Sequence, residues 1–572
     1  TKYYPDGFDF ATVRNNIDRI STPQELTIYE VHVQDFTGDE SWVSNKGNAN
    51  GTYNAFVEAG TTLTQNGKTV KTGFDHLKEL GVNAVQLMPV FDSDNDEISK
   101  AYNWGYNPLN YNVVEGAYSS DPSNGLTRVK EFKNLVLQLA SIKTRVIMDV
   151  VYNHVSSPTA SCFNKLMPRY YFRYDEKGEL YDGSGCHNEF RSEATMARKF
   201  IVDSVSMWAK EYKIKGFRFD LMELIDVETM KAIKKAMYQI DPDIVLYGEG
   251  WSMGFNGGWD FENNKQSMGT GTENVYHEAY DAANEVSLGG FNDRMRNALK
   301  GENNLYAYEW NDAQQKYVKG TNIDGSFFAF VSQGVHDANE KGASRRLVIE
   351  KGIQGFASGW GGEDINCNNP RQTINYVSCH DNWTIRDQLY ISLGSDGNPY
   401  SGNQAAYAAD VKHGSLAIHG AIFASNGIAF MQGGEEILRT KDIDVVKDKK
   451  IFDEIPKDSY ELAYGHHLSH NSYNSPLEVN TFKWGNKISV TMDRVKGGDS
   501  DTVSTLDMTA IFANLIKIHQ TMHKYSAEEI ASKVKGSWKG NDKDGGENES
   551  CIGVQYDKYF VYLAGREYGY QG

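Results

Sequence analysis

The run from MARKFIVDSVSMWAKEY (196–212) through GFRFDL (216–221) and VETMKAIKKAMYQI (227–240) to IVLYGEGW (244–251) reads as helix, strand, helix, strand. The two long pieces repeat their apolar residues at helical spacing, and the two short ones are near-continuous apolar runs. Strands of that kind are buried on both faces, which marks a parallel sheet covered by helices. The alternation continues outward. LTIYEVHV (26–33) reads as a first strand, FDHLKELG (74–81) as a helix closed by Gly81, and VNAVQLMPV (82–90) as a second strand. VKEFKNLVLQLASI (129–142) then leads as a helix into RVIMDVV (145–151), and GSLAIHGAIFAS (414–425) precedes GIAFMQGG (427–434). Such repetition predicts an α/β fold closed into a (β/α)8 TIM barrel. An open doubly wound sheet would carry a glycine-rich phosphate loop at its switch point, and the sequence has neither GxGxxG after a strand nor a P-loop.

At 572 residues the chain exceeds one ordinary domain, although a barrel with insertions absorbs several hundred. The pattern predicts the barrel over 25–475, with an excursion near 155–195 folding over its mouth after the third strand. Residues 1–24 read as a linker or the tail of an upstream module. Residues 476–572 read as a short C-terminal β-rich region containing one helix at 508–524. A net charge of −18 argues against nucleic acid and anionic membranes as partners, since both need a basic face, although an acidic surface also simply keeps proteins apart in solution. No run approaches the ~18–20 apolar residues of a membrane span. Five cysteines without a CxxC pair point away from a zinc site, and only a Cys162–Cys186 bridge within the excursion is conceivable. TKYYPDGFDF (1–10) lacks the basic and apolar regions of a signal peptide, so the compartment is left open.

Acids stand at the ends of the apolar runs: Asp220 in GFRFDL, Glu249 in IVLYGEGW and Asp381 in INYVSCHDN (374–382), with Asp149, Asn153 and His154 in RVIMDVVYNHV (145–155). The C-terminal ends of barrel strands are where such enzymes build their active sites. Paired carboxylates there suit acid–base chemistry on an uncharged, hydroxyl-rich substrate, that of a glycoside hydrolase. Asp220 and Glu249 are one βα repeat apart and are expected on adjacent strands. Arg218 shares a face with Asp220 by strand alternation and would keep a nucleophilic carboxylate charged. Burial of Glu249 against Trp251 would raise its pKa towards that of a usable acid. His380, Asp381 and His154 are placed to grip sugar hydroxyls. A lone Asp after a strand is more often a cap or turn residue; four such signals in register on one rim favour the catalytic reading.

Four segments resemble, in order, the signature regions of the α-amylase superfamily: DVVYNH (149–154), GFRFD (216–220), YGEGW (247–251) and INYVSCHDN (374–382). YNWGYNP (102–108) resembles the hallmark heptapeptide of type I pullulanases, which cut α-1,6 bonds. FDLM (219–222), GGFNDRMRNALKG (289–301) and HNSYNSP (470–476) are similar to the same subgroup, over about residues 25–480 in all. Gln34 stands where these enzymes usually have Arg, and Glu223 where a Gly is common. The resemblance implies Asp220 as nucleophile, Glu249 as general acid/base and Asp381 as transition-state stabiliser. It assigns hydroxyl contacts to His154, Arg218 and His380, and places Tyr106 beneath the reacting sugar with Trp104 alongside. It further implies an α-glucan substrate, a monomer, no cofactor for the chemistry, and a structural Ca²⁺ near the barrel mouth whose ligands the sequence does not name. An α-1,4-acting amylase or neopullulanase, or a non-catalytic starch-binding barrel, are the alternatives.

Overall fold

In a computed structural model of the chain the described residues are Val13, 16–250, 288–301, 308–311, 316–319, 341–357, Cys367, 369–394, 407–443, 460–463, 466–493, 500–541, 547–556 and 558–564. Eight strands form the barrel: β1 (Thr27–Val31), β2 (Ala84–Leu87), β3 (Arg145–Val150), β4 (Gly216–Phe219), β5 (Val245–Gly248), β6 (Leu288–Phe291), β7 (Thr373–Asn375) and β8 (Ile428–Gln432). Each pairs in parallel with the next, and β8 pairs back onto β1, so the barrel has no free edge. The expected (β/α)8 architecture is present.

Helices α1 (Gly73–Leu80), α2 (Gly125–Ser141), α3 (Thr195–Glu211) and α4 (Val227–Ile240) lie between the first five strands. Their ends are fixed by local chemistry. Asn124 and Asp226 cap α2 and α4 by accepting from Leu126 N and Thr229 N, and left-handed Gly81 closes α1. Farther on come α5 (Asp293–Lys300), α6 (Lys341–Ile353), α7 (Ile385–Gly394), α8 (Tyr407–Phe423) and α9 (Met508–Thr521). The last of these belongs to the stretch assigned to a C-terminal β-rich region, yet it packs against α1 and α8 in the barrel's own helical layer. Its apolar face, with Met508, Phe512 and Ile516 buried, needs that cover. Beyond it an antiparallel sheet of three strands, Val534–Asn541, Glu547–Tyr556 and Tyr559–Ala564, follows.

Strand alternation sorts the barrel interior into two levels. Ile28, Ala84, Ile147, Val245, Ile374, Ile428 and Phe430 fill the centre with apolar side chains. Nearer the C-terminal ends of the strands the inward positions are Glu30, Gln86, Asp149, Arg218 and Tyr247. The register pairs Glu30 with Gln86 and sets Asp149, Arg218 and Tyr247 in a row, and Gln86 Nε2 lies 3.5 Å from Asp149 Oδ2 across the two-residue step between β2 and β3. An apolar plug thus carries a polar layer on its C-terminal side.

The stretch ahead of β1 is anchored at the other end: buried Gln24 donates from Nε2 to Asn426 O at 2.5 Å and Tyr525 O at 3.1 Å. In the 155–195 excursion Phe163, Tyr171 and Phe190 pack together, and Phe190 N donates to Asn153 O at 2.7 Å. The excursion is therefore tied to the residues beside the acids. Cys162 and Cys186 are both free thiols, so the conceivable bridge is not formed.

Candidate active site

Arg218, buried at 2% exposure in the middle of β4, organises the polar layer. Its Nη1 donates to Asp149 Oδ1 at 2.8 Å and to Asp220 Oδ1 at 3.0 Å, and its Nη2 forms an ion pair with Glu249 Oε1. One guanidinium therefore binds carboxylates from the ends of three successive strands. Its planar fork is suited to this where a lysine's point charge is not. Glu249 has no Lys, Arg or His within five residues in the sequence; the adjacent barrel strand supplies Arg218.

Asp220 also accepts from Asn153 Nδ2 at 2.8 Å, through Oδ2, and its backbone carbonyl accepts from the same amide. Leu221, next in the chain, has φ 39° and ψ 52°, a left-handed conformation rare for such a side chain. This turn aims Leu221 N at Glu249 Oε2, 3.1 Å away. Gly248 before Glu249 is needed for close approach: a Cβ there would lie 2.4 Å from Phe219 O and 2.8 Å from Met222 Cβ. Burial raises the Glu249 carboxyl to about 7; Arg218 opposes the rise, and the charges of Asp220 and Asp381 reinforce it. Trp251, invoked for that burial from the sequence, lies outside the described residues. Asp149 is raised to about 6, again by burial, against the pull of Arg218.

Asp381 differs from these two. Strand β7 ends at Asn375, so the acid sits on the loop beyond it, and its side chain is 49% exposed. Asn382 after it is left-handed at φ 61°. His380 beside it is held tightly: its backbone N–H donates to Glu30 Oε2 at 2.6 Å, and Nδ1 lies 2.9 Å from Glu30 Oε1. Tyr106 stacks on the His380 ring at 4.8 Å and donates its hydroxyl to Asp149 Oδ2 at 2.7 Å. Trp104 is buried edge-on against His380 at 5.0 Å, so it forms a wall behind the histidine. His154 is buried, with Nε2 2.8 Å from Tyr106 O and Nδ1 against Asn153 Oδ1. Both of its nitrogens have protein partners, and it fixes the heptapeptide loop to β3.

Asp220, Glu249, Arg218, His380, Asp381, Tyr106, Trp104 and His154 are therefore brought together at one end of the barrel. Sequence reading missed Glu30, Gln86, Tyr247 and Lys441. Gln86 Nε2 donates to Glu30 Oε1 at 3.1 Å, and Tyr247 OH donates to Gln86 Oε1 at 2.5 Å. Buried Lys441 donates to His380 O at 2.6 Å and to Asn382 O at 3.1 Å, gripping the main chain on both sides of Asp381. A signal existed for the first two: a single polar residue interrupts each apolar run, in IYEV and AVQL. Among the described residues no group of three or more His, Cys, Asp or Glu side chains is placed to hold a metal ion, so none is assigned to the expected Ca²⁺.

Comparison with known proteins agrees with this geometry. Residues 64–177 match the family model described as the α-amylase catalytic domain. A pullulanase of Bacillus subtilis (strain 168) is 35% identical over 428 residues, covering 74% of this chain and 51% of that protein. The crystal structure of apo pullulanase from Paenibacillus barengoltzii matches with a TM-score of 0.71 at 30% identity, over 96% of this chain and 69% of that one. The chain belongs to the type I pullulanase family. A second structure of the P. barengoltzii pullulanase, in complex with maltohexaose and α-cyclodextrin, matches with a TM-score of 0.70 at 29% identity, over 96% of this chain and 70% of that one. This pullulanase-family chain spans about half the length of the B. subtilis relative.

Proposed function

We propose that the chain carries the catalytic unit of a retaining glycoside hydrolase that cleaves α-1,6 branch linkages in pullulan, starch or glycogen-derived dextrins. The observation that carries this reading is the single guanidinium of Arg218 joining Asp149, Asp220 and Glu249, with the YNWGYNP loop packed against them through Tyr106. A nucleophile and an acid held by one small cation are close neighbours, as a retaining pair at ~5–5.5 Å requires.

Asp220 attacks the anomeric carbon, its two oxygens oriented by Arg218 and Asn153. Glu249, which keeps its proton up to about pH 7, delivers it to the departing glycosidic oxygen. Once ionised, Glu249 takes a proton from water, and that water hydrolyses the glycosyl-enzyme. Asp381 and His380 meet the sugar from the opposite side, where charge develops in the oxocarbenium-like transition state. The partly exposed Tyr106 offers an aromatic surface to the sugar and is itself fixed by Asp149 and His380. No cofactor takes part in these steps. One chain supplies every group, which fits a monomeric enzyme. Complexes of related pullulanases with maltooligosaccharides support an α-glucan as substrate. Incubation with pullulan tests the bond specificity: α-1,6 cleavage gives maltotriose, whereas panose as the main product would reassign the chain to α-1,4 cleavage.

A further inference from the structure

Glu30 is a buried carboxylate that the steps above do not use. It sits at 2% exposure, inward on β1, and burying an ionised group is costly unless it is fully paired. Both oxygens are paired, and mainly with one residue. Oε2 accepts from the His380 backbone N–H at 2.6 Å, and Oε1 faces His380 Nδ1 at 2.9 Å and Gln86 Nε2 at 3.1 Å. We propose that Glu30 is a positioning residue for catalysis, clamping His380 so that its imidazole stays doubly protonated and donates towards Asp381 and the reacting sugar. This rests on the glycosidase reading of the site.

The geometry favours the imidazolium. His380 Nδ1 points at Glu30, and Nε2 lies 3.5 Å from Asp381 Oδ2, so each ring nitrogen faces a carboxylate. A neutral ring would have to turn a lone pair towards one of them. Tyr106 lies along the ring face at 4.8 Å, where an aromatic surface favours a cation, and its hydroxyl is 3.3 Å from Nδ1. The charged surroundings come from every neighbouring element. Glu30 on β1, Asp149 on β3, Glu249 after β5 and adjacent Asp381 favour the cation; Arg218 on β4 and Lys441 after β8, which binds the His380 carbonyl, oppose it. Burial lowers the imidazole, but Asp381 and Glu30 outweigh it and raise the ring to about 9. Glu30 is itself held below the usual carboxylate range: burial pushes it up, and the charge and hydrogen bonds of His380 together with the charge of Arg218 more than offset that. The cation therefore persists through neutral pH and is lost as pH rises through about 9.

The test compares pH profiles of kcat/KM on α-maltotriosyl fluoride, whose leaving group departs without a proton from Glu249. For the natural chain the alkaline limb is expected near pH 9. Glu30→Gln keeps the shape and removes the charge. Its limb is expected at least one unit lower, while kcat/KM at about pH 5.5 stays within about tenfold. Adding Glu30→Gln to a His380→Asn chain is expected to move nothing further. Should Glu30→Gln not fold, Glu30→Asp, with the carboxylate withdrawn by one methylene, is expected to lower the limb by a smaller step. An unmoved limb in the folded variant overturns the role of Glu30. A natural chain that turns over neither the fluoride nor pullulan overturns the glycosidase reading, and this one with it.

Discussion

The two sides of the barrel mouth are built differently. Asp220 and Glu249, at 8% and 7% exposure, are locked before any substrate arrives, both to Arg218, the first also to the Asn153 amide and the second to the Leu221 backbone N–H. Asp381 projects half-exposed from a loop and is secured through its neighbours, by Glu30 holding His380 and Lys441 holding the flanking carbonyls. Bond-making and proton transfer need fixed distances, and the rigid side supplies them. Stabilising developing charge needs an acid that can meet the sugar, and the exposed side supplies that.

Substitutions on the two sides should therefore fail in different ways. The largest effect is expected for Glu249→Gln, with kcat/KM on pullulan falling about 10²–10⁴-fold while kcat/KM on α-maltotriosyl fluoride, which reports formation of the glycosyl-enzyme, is largely spared. Asp381→Asn is expected to lower kcat/KM by about 10²–10³ on both substrates, because charge develops at the sugar whatever departs. A variant set in which Asp381→Asn spares the fluoride and Glu249→Gln does not would exchange the two roles.

The smallest effect sharpens the contrast through stability. A carboxyl raised from its ordinary range to about 7 binds its proton better in the folded chain than in the unfolded one. Its ionisation therefore destabilises the fold progressively as pH rises from about 4.5, and fully above about 7. Glu249→Gln removes that penalty. Thermal unfolding at about pH 8 should show it more stable than the natural chain by about 1–3 kcal/mol, with the gain vanishing towards about pH 4. Asp381→Asn, which takes one of its two carboxylates from the buried His380 imidazolium, should instead lower the melting temperature at neutral pH. Equal melting shifts for the two would remove the distinction between a buried, strained side and an open one.

Much of this was legible in the sequence because barrel strands and their acids are local signals. GFRFDL and IVLYGEGW carry both the apolar run and the acid, and the helices between them carry their caps. The polar layer beneath was not legible, because Glu30, Gln86, Asp149, Arg218 and Tyr247 become one network only when the barrel closes. Taken singly, Glu30 and Gln86 are interruptions in apolar strands. Trp104 and His154 read as sugar contacts, yet the first is buried as a wall and the second has both nitrogens bound within the protein. Helix α9 was grouped with the β-rich end by its neighbours in sequence, whereas its buried face assigns it to the barrel.

The central claim is that Asp220, not another acid of the cluster, makes the bond to the sugar. Treatment with a 5-fluoro-α-maltotriosyl fluoride, followed by proteolysis and peptide mass spectrometry, tests it directly. The account predicts one maltotriosyl adduct per chain, located on Asp220. An adduct on Glu249 or Asp381, or turnover of this substrate with no adduct, would contradict it.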